Sequence, residues 1–149
     1  MTARELYDRD FFQWTIRNAE LLRRGDFQQA DVQHLAEEIE DMGKREQRAL
    51  ENRLRVLLIH LLKWLLQPDR RSSSWRATLA VQRLEIADLL EQMPSLRNLL
   101  ARRLEKVYEK AVLRTVALTG LPEDHFPKQC PFTLHEVLDR SFFPENATK

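Results

Sequence analysis

The chain has 149 residues, 43% of them apolar and 32% charged, enough for one domain that buries roughly two thirds of its unfolded surface. Lysine and arginine total 24 against 23 acidic residues, a net charge of +1, so no general field draws in nucleic acid or an anionic bilayer, and nucleic-acid binding is disfavoured. A single cysteine, Cys130, and four histidines exclude an internal disulfide and leave no structural zinc spacing, which makes a reducing cytoplasm the expected compartment.

The N-terminus, MTARELYDRDFFQW, mixes acids and bases without an apolar core region, so no secretion leader is expected there. Asp10 is placed to cap a helix carrying Phe11, Trp14, Ile16, Leu21 and Leu22, and Gly25 sits where a left-handed residue would stop it. Asp31 begins a second, long helix: Val32, Leu35, Ile39 and Met42 form one stripe, and Leu50, Leu54, Leu57, Leu61 and Leu65 continue one. Pro68 ends it near Gln67. A helix of that span runs roughly 52 Å, against roughly 38 Å for a compact sphere of this chain length. Either it bends near Gly43, the one glycine inside it, or a partner covers a protruding end.

Ser74 is expected to cap a third helix reaching about Leu90, and Pro94-Ser95 to restart a fourth carrying Leu96, Leu100, Leu104, Val107, Ala111 and Leu118 on one side. Gly120 ends that helix. From Pro122 to Pro131 three prolines and no period predict an arm laid over the bundle. Thr133 and Glu136 form a capping box for a short last helix ending near Arg140. The reading is all-α: a single-domain bundle over residues 1–149 of about five helices, with one long central helix, a proline-rich C-terminal arm, and residues 144–149 as a loose tail. The longest apolar run, Val56 to Leu66, holds His60 and Lys63 and falls well short of the roughly twenty residues that span a bilayer.

Four constellations carry candidate chemistry. Arg53, His60, Lys63 and Gln67 lie along one polar line of the long helix; the plain reading is a strip touching water, the functional one a pocket wall. Arg70, Arg71, Arg76 and Arg83 surround a serine-rich turn and a helix start, where a phosphate or carboxylate could be held. The plain alternative has the serines capping, the arginines covering the flanks, and Trp64 packing on Trp75. Asp31, His34, Glu38 and Asp41 share a helix face of the kind that builds metal sites in bundles, but no second such helix exists and a solvated face with i, i+4 pairs Glu40 to Lys44, Asp41 to Arg45 and Glu51 to Arg55 is preferred. Cys130 lies between His125 and His135, and reads as a small buried apolar group before it reads as a nucleophile.

The motifs LYDRDFFQW, AEEIEDMGKRE, LIHLLKWLLQP with RSSSW, VQRLEI, and FPKQCPFTLHEVLDRSFFP, in that order, resemble the bacterial domain of unknown function family twenty-nine, from Leu6 to Pro144. The residues that match its pattern include Lys63, Trp64, Gln67, Pro68, Arg71, Ser74, Trp75, Gln82 and Arg83. The resemblance implies a small all-helical cytoplasmic bacterial protein and carries no catalytic residue, ligand or partner with it. The residues support two expectations. The first is a non-enzymatic interaction or oligomerisation module with a protein partner or a second copy, no membrane, no metal and no cofactor. The alternative is an enzyme or small-anion binder using His60, Lys63, Arg71, Trp75, Arg76 and Arg83 in a cleft between the second and third helices.

Overall fold

The computed structural model describes residues 1–145, and the fold is all-α: 76% helical, six α-helices, and no strand among the described residues. Of the tail expected over residues 144–149, residues 146–149 lie outside the described residues. The chain divides into two compact units, residues 1–46 and the residues from 47 onward.

In the first unit, α1 (Ala3–Arg9) was not foreseen. It is short, but its start is encoded by a capping box: the Thr2 hydroxyl accepts from the Glu5 amide and the Glu5 carboxylate from the Thr2 amide. Asp10 caps α2 (Phe11–Arg23) as expected, accepting from the Gln13 amide at 3.1 Å. The helix closes on Gly25 at φ +72°: the Asp26 amide reaches back to the Leu21 carbonyl and the Gly25 amide to that of Leu22, a doubly bonded stop that needs the left-handed residue. Asp31 opens α3 (Val32–Leu66), accepting from the His34 amide.

Few apolar side chains are buried in this unit: Ala3, Trp14 and Leu21. The stripe expected to pack along the start of α3 is instead largely exposed, Val32 at 61%, Ile39 at 65% and Met42 at 57%. On α2, Phe11, Ile16 and Leu22 are exposed too. Periodicity correctly marked apolar faces but not what covers them. Helical assignment continues without a break through Gly43.

In the second unit the rest of α3 is the core. Leu50, Leu54, Leu57, Leu61 and Leu65 are buried as expected, and Leu58, Ile59 and Leu62 fill the remaining sides, so this segment is apolar nearly all round and must be enclosed. Each fully buried leucine contributes about 1.5–3 kcal/mol. Helix α3 stops at Leu66, ahead of Pro68, and a 3-10 turn over Pro68–Arg70 leads into α4 (Ser73–Gln92). The cap of α4 is Ser72, whose hydroxyl accepts from the Trp75 amide, rather than Ser74. With three consecutive serines, the choice is made by where the 3-10 turn releases the chain.

Helix α5 (Leu96–Thr119) ends at left-handed Gly120. Leu100, Val107 and Ala111 face inward as expected, while Leu118, the next-to-last residue of the helix, is exposed. The proline-rich arm covers the core with Phe126 and Phe132, both buried, and is fastened by the Tyr108 hydroxyl donating to the Pro127 carbonyl at 2.6 Å. The Thr133–Glu136 capping box opens α6 (Leu134–Leu138), two residues shorter than expected.

One surface expectation fails. None of the three i, i+4 ion pairs forms among the described residues; Glu51 pairs instead with Arg103 of α5 at 3.0 Å. A partner on another helix with the same geometry competes well with a partner one turn away, because isolated helix pairs are worth only about 0.3–0.5 kcal/mol.

Candidate functional site

The stretch from His60 to Arg83 folds into an arginine-aromatic cluster within the second unit. Trp64, buried on α3, has Phe143 as its ring neighbour, centroids 4.9 Å apart. This corrects the expected pairing with Trp75, which instead lies under the Lys63 ammonium, 4.7 Å from ring centroid to Nζ. Three guanidinium groups surround the Trp64–Phe143 pair. Arg71 lies 4.9 Å and Arg76 5.2 Å from the Trp64 ring, and Arg76 and Arg83 each lie 5.9 Å from Phe143. Such contacts contribute from about 0.5 kcal/mol when exposed to about 2 when desolvated.

The remaining polar atoms of these side chains hold the fold. Arg71 Nε donates to the Trp64 carbonyl at 2.9 Å, tying the 3-10 turn to the end of α3. Arg83 is 2% exposed; its Nε donates to the Val137 carbonyl at 2.8 Å and Nη2 to that of Glu136 at 3.4 Å, which anchors α6 to α4. Burial works against its charge, and Asp139 offsets part of that effect. The His60 ring shares a hydrogen bond with the Val56 carbonyl of its own helix at 2.9 Å. Burial pushes its imidazole below the ordinary value, with the Val56 bond opposing and the Lys63 charge adding to the shift; burial also lowers the Lys63 ammonium. The polar line on α3 thus serves as an edge against α4: Arg53 donates to Gln82 at 3.3 Å and lies 3.9 Å from Glu85, and Lys63 caps Trp75.

Of the six candidate residues, Arg71, Arg76 and Arg83 converge on one ring pair, and Lys63 and Trp75 pair with each other. His60 is satisfied locally. A cleft of about 550 Å³ opens beside the cluster between α4, the start of α5 and α6. It is lined by Arg83 together with Arg97, His135, Asp139 and Glu91 over an apolar floor of Ile86 and Leu90. Beyond Arg83 and His135, the latter weighed only as a neighbour of Cys130, none of these stands out in the sequence, since they come from separated helices and carry no local pattern. Asp139 is held below the usual carboxylate range, first by the Ser141 amide and then by its hydroxyl, with burial opposing. Cys130 is half-buried, donates to the Phe132 carbonyl, and is pushed up to about 11 by burial, so its thiolate is scarce at neutral pH.

The face at the start of α3, read as solvated with a metal site as the alternative, stays exposed at Asp41 but at Asp31 and His34 forms a hydrogen-bond hub of the first unit. The Asp31 carboxylate accepts from Trp14 Nε1 at 3.0 Å and from His34 Nδ1 at 2.6 Å, and the Asp31 amide donates to Asn18 at 2.8 Å. Burial raises the Asp31 pKa and is the largest single influence, but the bonds from Trp14 and from the His34 ring and backbone together hold it below its ordinary value. Tyr7 stacks on the His34 ring at 3.7 Å and donates its hydroxyl to Glu38, which raises the phenol to about 12. No group of three or more His, Cys, Asp or Glu side chains among the described residues is arranged to hold a metal ion. No helix among them is long and apolar enough to cross a membrane.

A family model described as domain of unknown function DUF29 matches residues 6–143, nearly the whole chain. No curated protein and no solved structure gives a match.

Proposed function

We propose that this chain, which belongs to the DUF29 family, is a non-enzymatic interaction module that self-associates through residues 1–46. One observation carries the reading. Of the large apolar side chains exposed among the described residues, nine lie in residues 1–46 and five in all the rest, while the first unit buries only three apolar side chains of its own. Phe12 at 69%, Ile39 at 65% and Met1 at 63% are the most open of the nine, followed by Phe27 at 62%. So much exposed apolar surface on so small a unit marks a face that a protein covers. A bacterial cytoplasm belongs to the same reading, supported by the lone thiol and by the family resemblance.

The test is the mass of the full chain in solution by light scattering. At roughly 100 µM the wild type should run at a multiple of its 17.7 kDa. Ile39→Glu should return it to a single copy with its helical circular dichroism unchanged, a weakening of at least about tenfold. A wild type that stays at one copy would sink the proposal.

A second reading takes the arginine cluster as a small-anion site, with His60 and Lys63 at its margin and Trp75 beside them. What favours it is Arg76, exposed and seated on two rings, whose guanidinium makes no hydrogen bond or ion pair among the described residues. Titration with inorganic phosphate, followed by tryptophan fluorescence, should then give a saturable change that Arg76→Ala abolishes. No change up to roughly 10 mM phosphate removes this reading.

A further inference from the structure

We propose that a cleft between α3 and α5, walled by Arg55, Lys110 and Arg114, holds a small molecule by its phosphate group. The proposal is independent of self-association and uses none of the residues around the Trp64–Phe143 pair.

The cleft has a volume of about 610 Å³ and belongs wholly to the second unit. Its lining is Arg55 from α3 and Lys110, Leu113, Arg114 and Ala117 from α5. The four residues of α5 follow one another at spacings of three, one and three, so they share one face of that helix, and Arg55 meets them from α3. No carboxylate is among the described residues that line it.

The fold leaves the three cations without a counter-charge. None of them forms an ion pair among the described residues. Glu51, one turn before Arg55, is the carboxylate that helix spacing assigns to it, but both Glu51 oxygens are taken, one by Arg103 at 3.0 Å and the other by the Gln47 amide at 2.9 Å. Glu109, adjacent to Lys110 in the chain, lies 4.0 Å from the Lys106 ammonium instead. Like charges gathered on one cleft repel one another. In a chain whose net charge is only +1 this is a local concentration, and an anion seated among the three relieves it.

The donors suit a phosphate. Two guanidinium forks from different helices offer paired N–H groups that match phosphate oxygens, and the ammonium adds a compact point charge. A phosphate dianion gains more from three cations than a monocarboxylate does. The cleft is larger than a bare phosphate fills and has the size of small-molecule sites. Leu113, 61% exposed, and Ala117 on the same face give the remainder of such a molecule an apolar wall. A nucleic-acid backbone fits less well: proteins that follow one make roughly 6–10 phosphate contacts, and three cations line this cleft.

Isothermal titration calorimetry of the full chain with pyrophosphate, in about 150 mM sodium chloride, tests the site. Binding should saturate with a Kd at or below about 1 mM, and acetate should bind at least about tenfold more weakly. Arg55→Gln and Arg114→Gln should each weaken pyrophosphate binding at least about tenfold with the helical circular dichroism unchanged, Lys110→Gln should act in the same direction, and Arg76→Ala should leave it within about twofold. No saturable heat up to roughly 10 mM pyrophosphate would overturn the proposal. Binding that survives the double variant Arg55→Gln/Arg114→Gln would place the anion elsewhere and overturn it equally. A DNA duplex that binds more tightly than pyrophosphate and is lost in the same variants would replace the small molecule with a nucleic-acid surface.

Discussion

Replacing Arg83 by alanine should lower the stability of the protein by about 3–5 kcal/mol in urea unfolding. The side chain is almost fully buried and is the donor that fastens α6 to α4. The Glu136 carbonyl also accepts from the Asp139 amide at 3.2 Å, so the loss falls chiefly on the Val137 carbonyl, left in the core without a donor. A bare buried acceptor costs about 1–3 kcal/mol, and the void beneath Phe143 adds to that. Arg83→Met separates the two contributions. It keeps most of the packing and relieves the desolvation of a buried cation but leaves the carbonyl bare, so its loss should be smaller, about 1–3 kcal/mol. Arg83→Lys should not rescue fully, because one ammonium cannot reproduce two donors in a fixed fork. An alanine variant within about 1 kcal/mol of wild type would show that Arg83 is an exposed ligand group with no anchoring role.

Asp31→Ala should open the first unit. It removes the cap of α3, worth about 1 kcal/mol, and strands the Trp14 indole N–H in a buried site, worth about 1–3 more. Amides of α1 and α2 should lose hydrogen-exchange protection before those of α5. The effect depends on pH with a definite sign. The folded carboxyl titrates below its ordinary value of 3.8, so its contribution is fully present above that value and fades as pH falls through the lower folded one. Wild type and Asp31→Asn should therefore differ most above about pH 5 and converge in strong acid. Equal protection in the two proteins at neutral pH would contradict the hub.

These two residues mark how far the sequence was legible. Asp31 was recognised as a cap, as were Asp10, Gly25, Gly120 and the Thr133–Glu136 box, because a cap is a transaction among residues three or four apart. The Thr2–Glu5 box was equally readable and was passed over, since a seven-residue helix shows too little periodicity to stand out. The sequence offers Arg83 only as a flank-covering side chain or, alternatively, an anion clamp, because its carbonyl partner lies 54 residues along the chain, and no spacing rule reaches that far. Phe143 as the neighbour of Trp64 is hidden for the same reason. The apolar stripe of Val32, Ile39 and Met42 was visible as a pattern; its exposure was not, because a pattern records which side is oily and is silent on what lies against it. Both arms of the expectation for α3, a bend at Gly43 or cover by a partner, followed from length alone, and the exposed stripe gives weight to the second.

The seating of Phe143 on Trp64 bears on how the protein is made. Helix α3, with its ring of leucines, is translated before the arginines of α4 and well before the aromatic cover at Phe143. The core of the second unit therefore gains its last aromatic cover only when the chain is nearly complete, which places the closing of that core late in folding during synthesis.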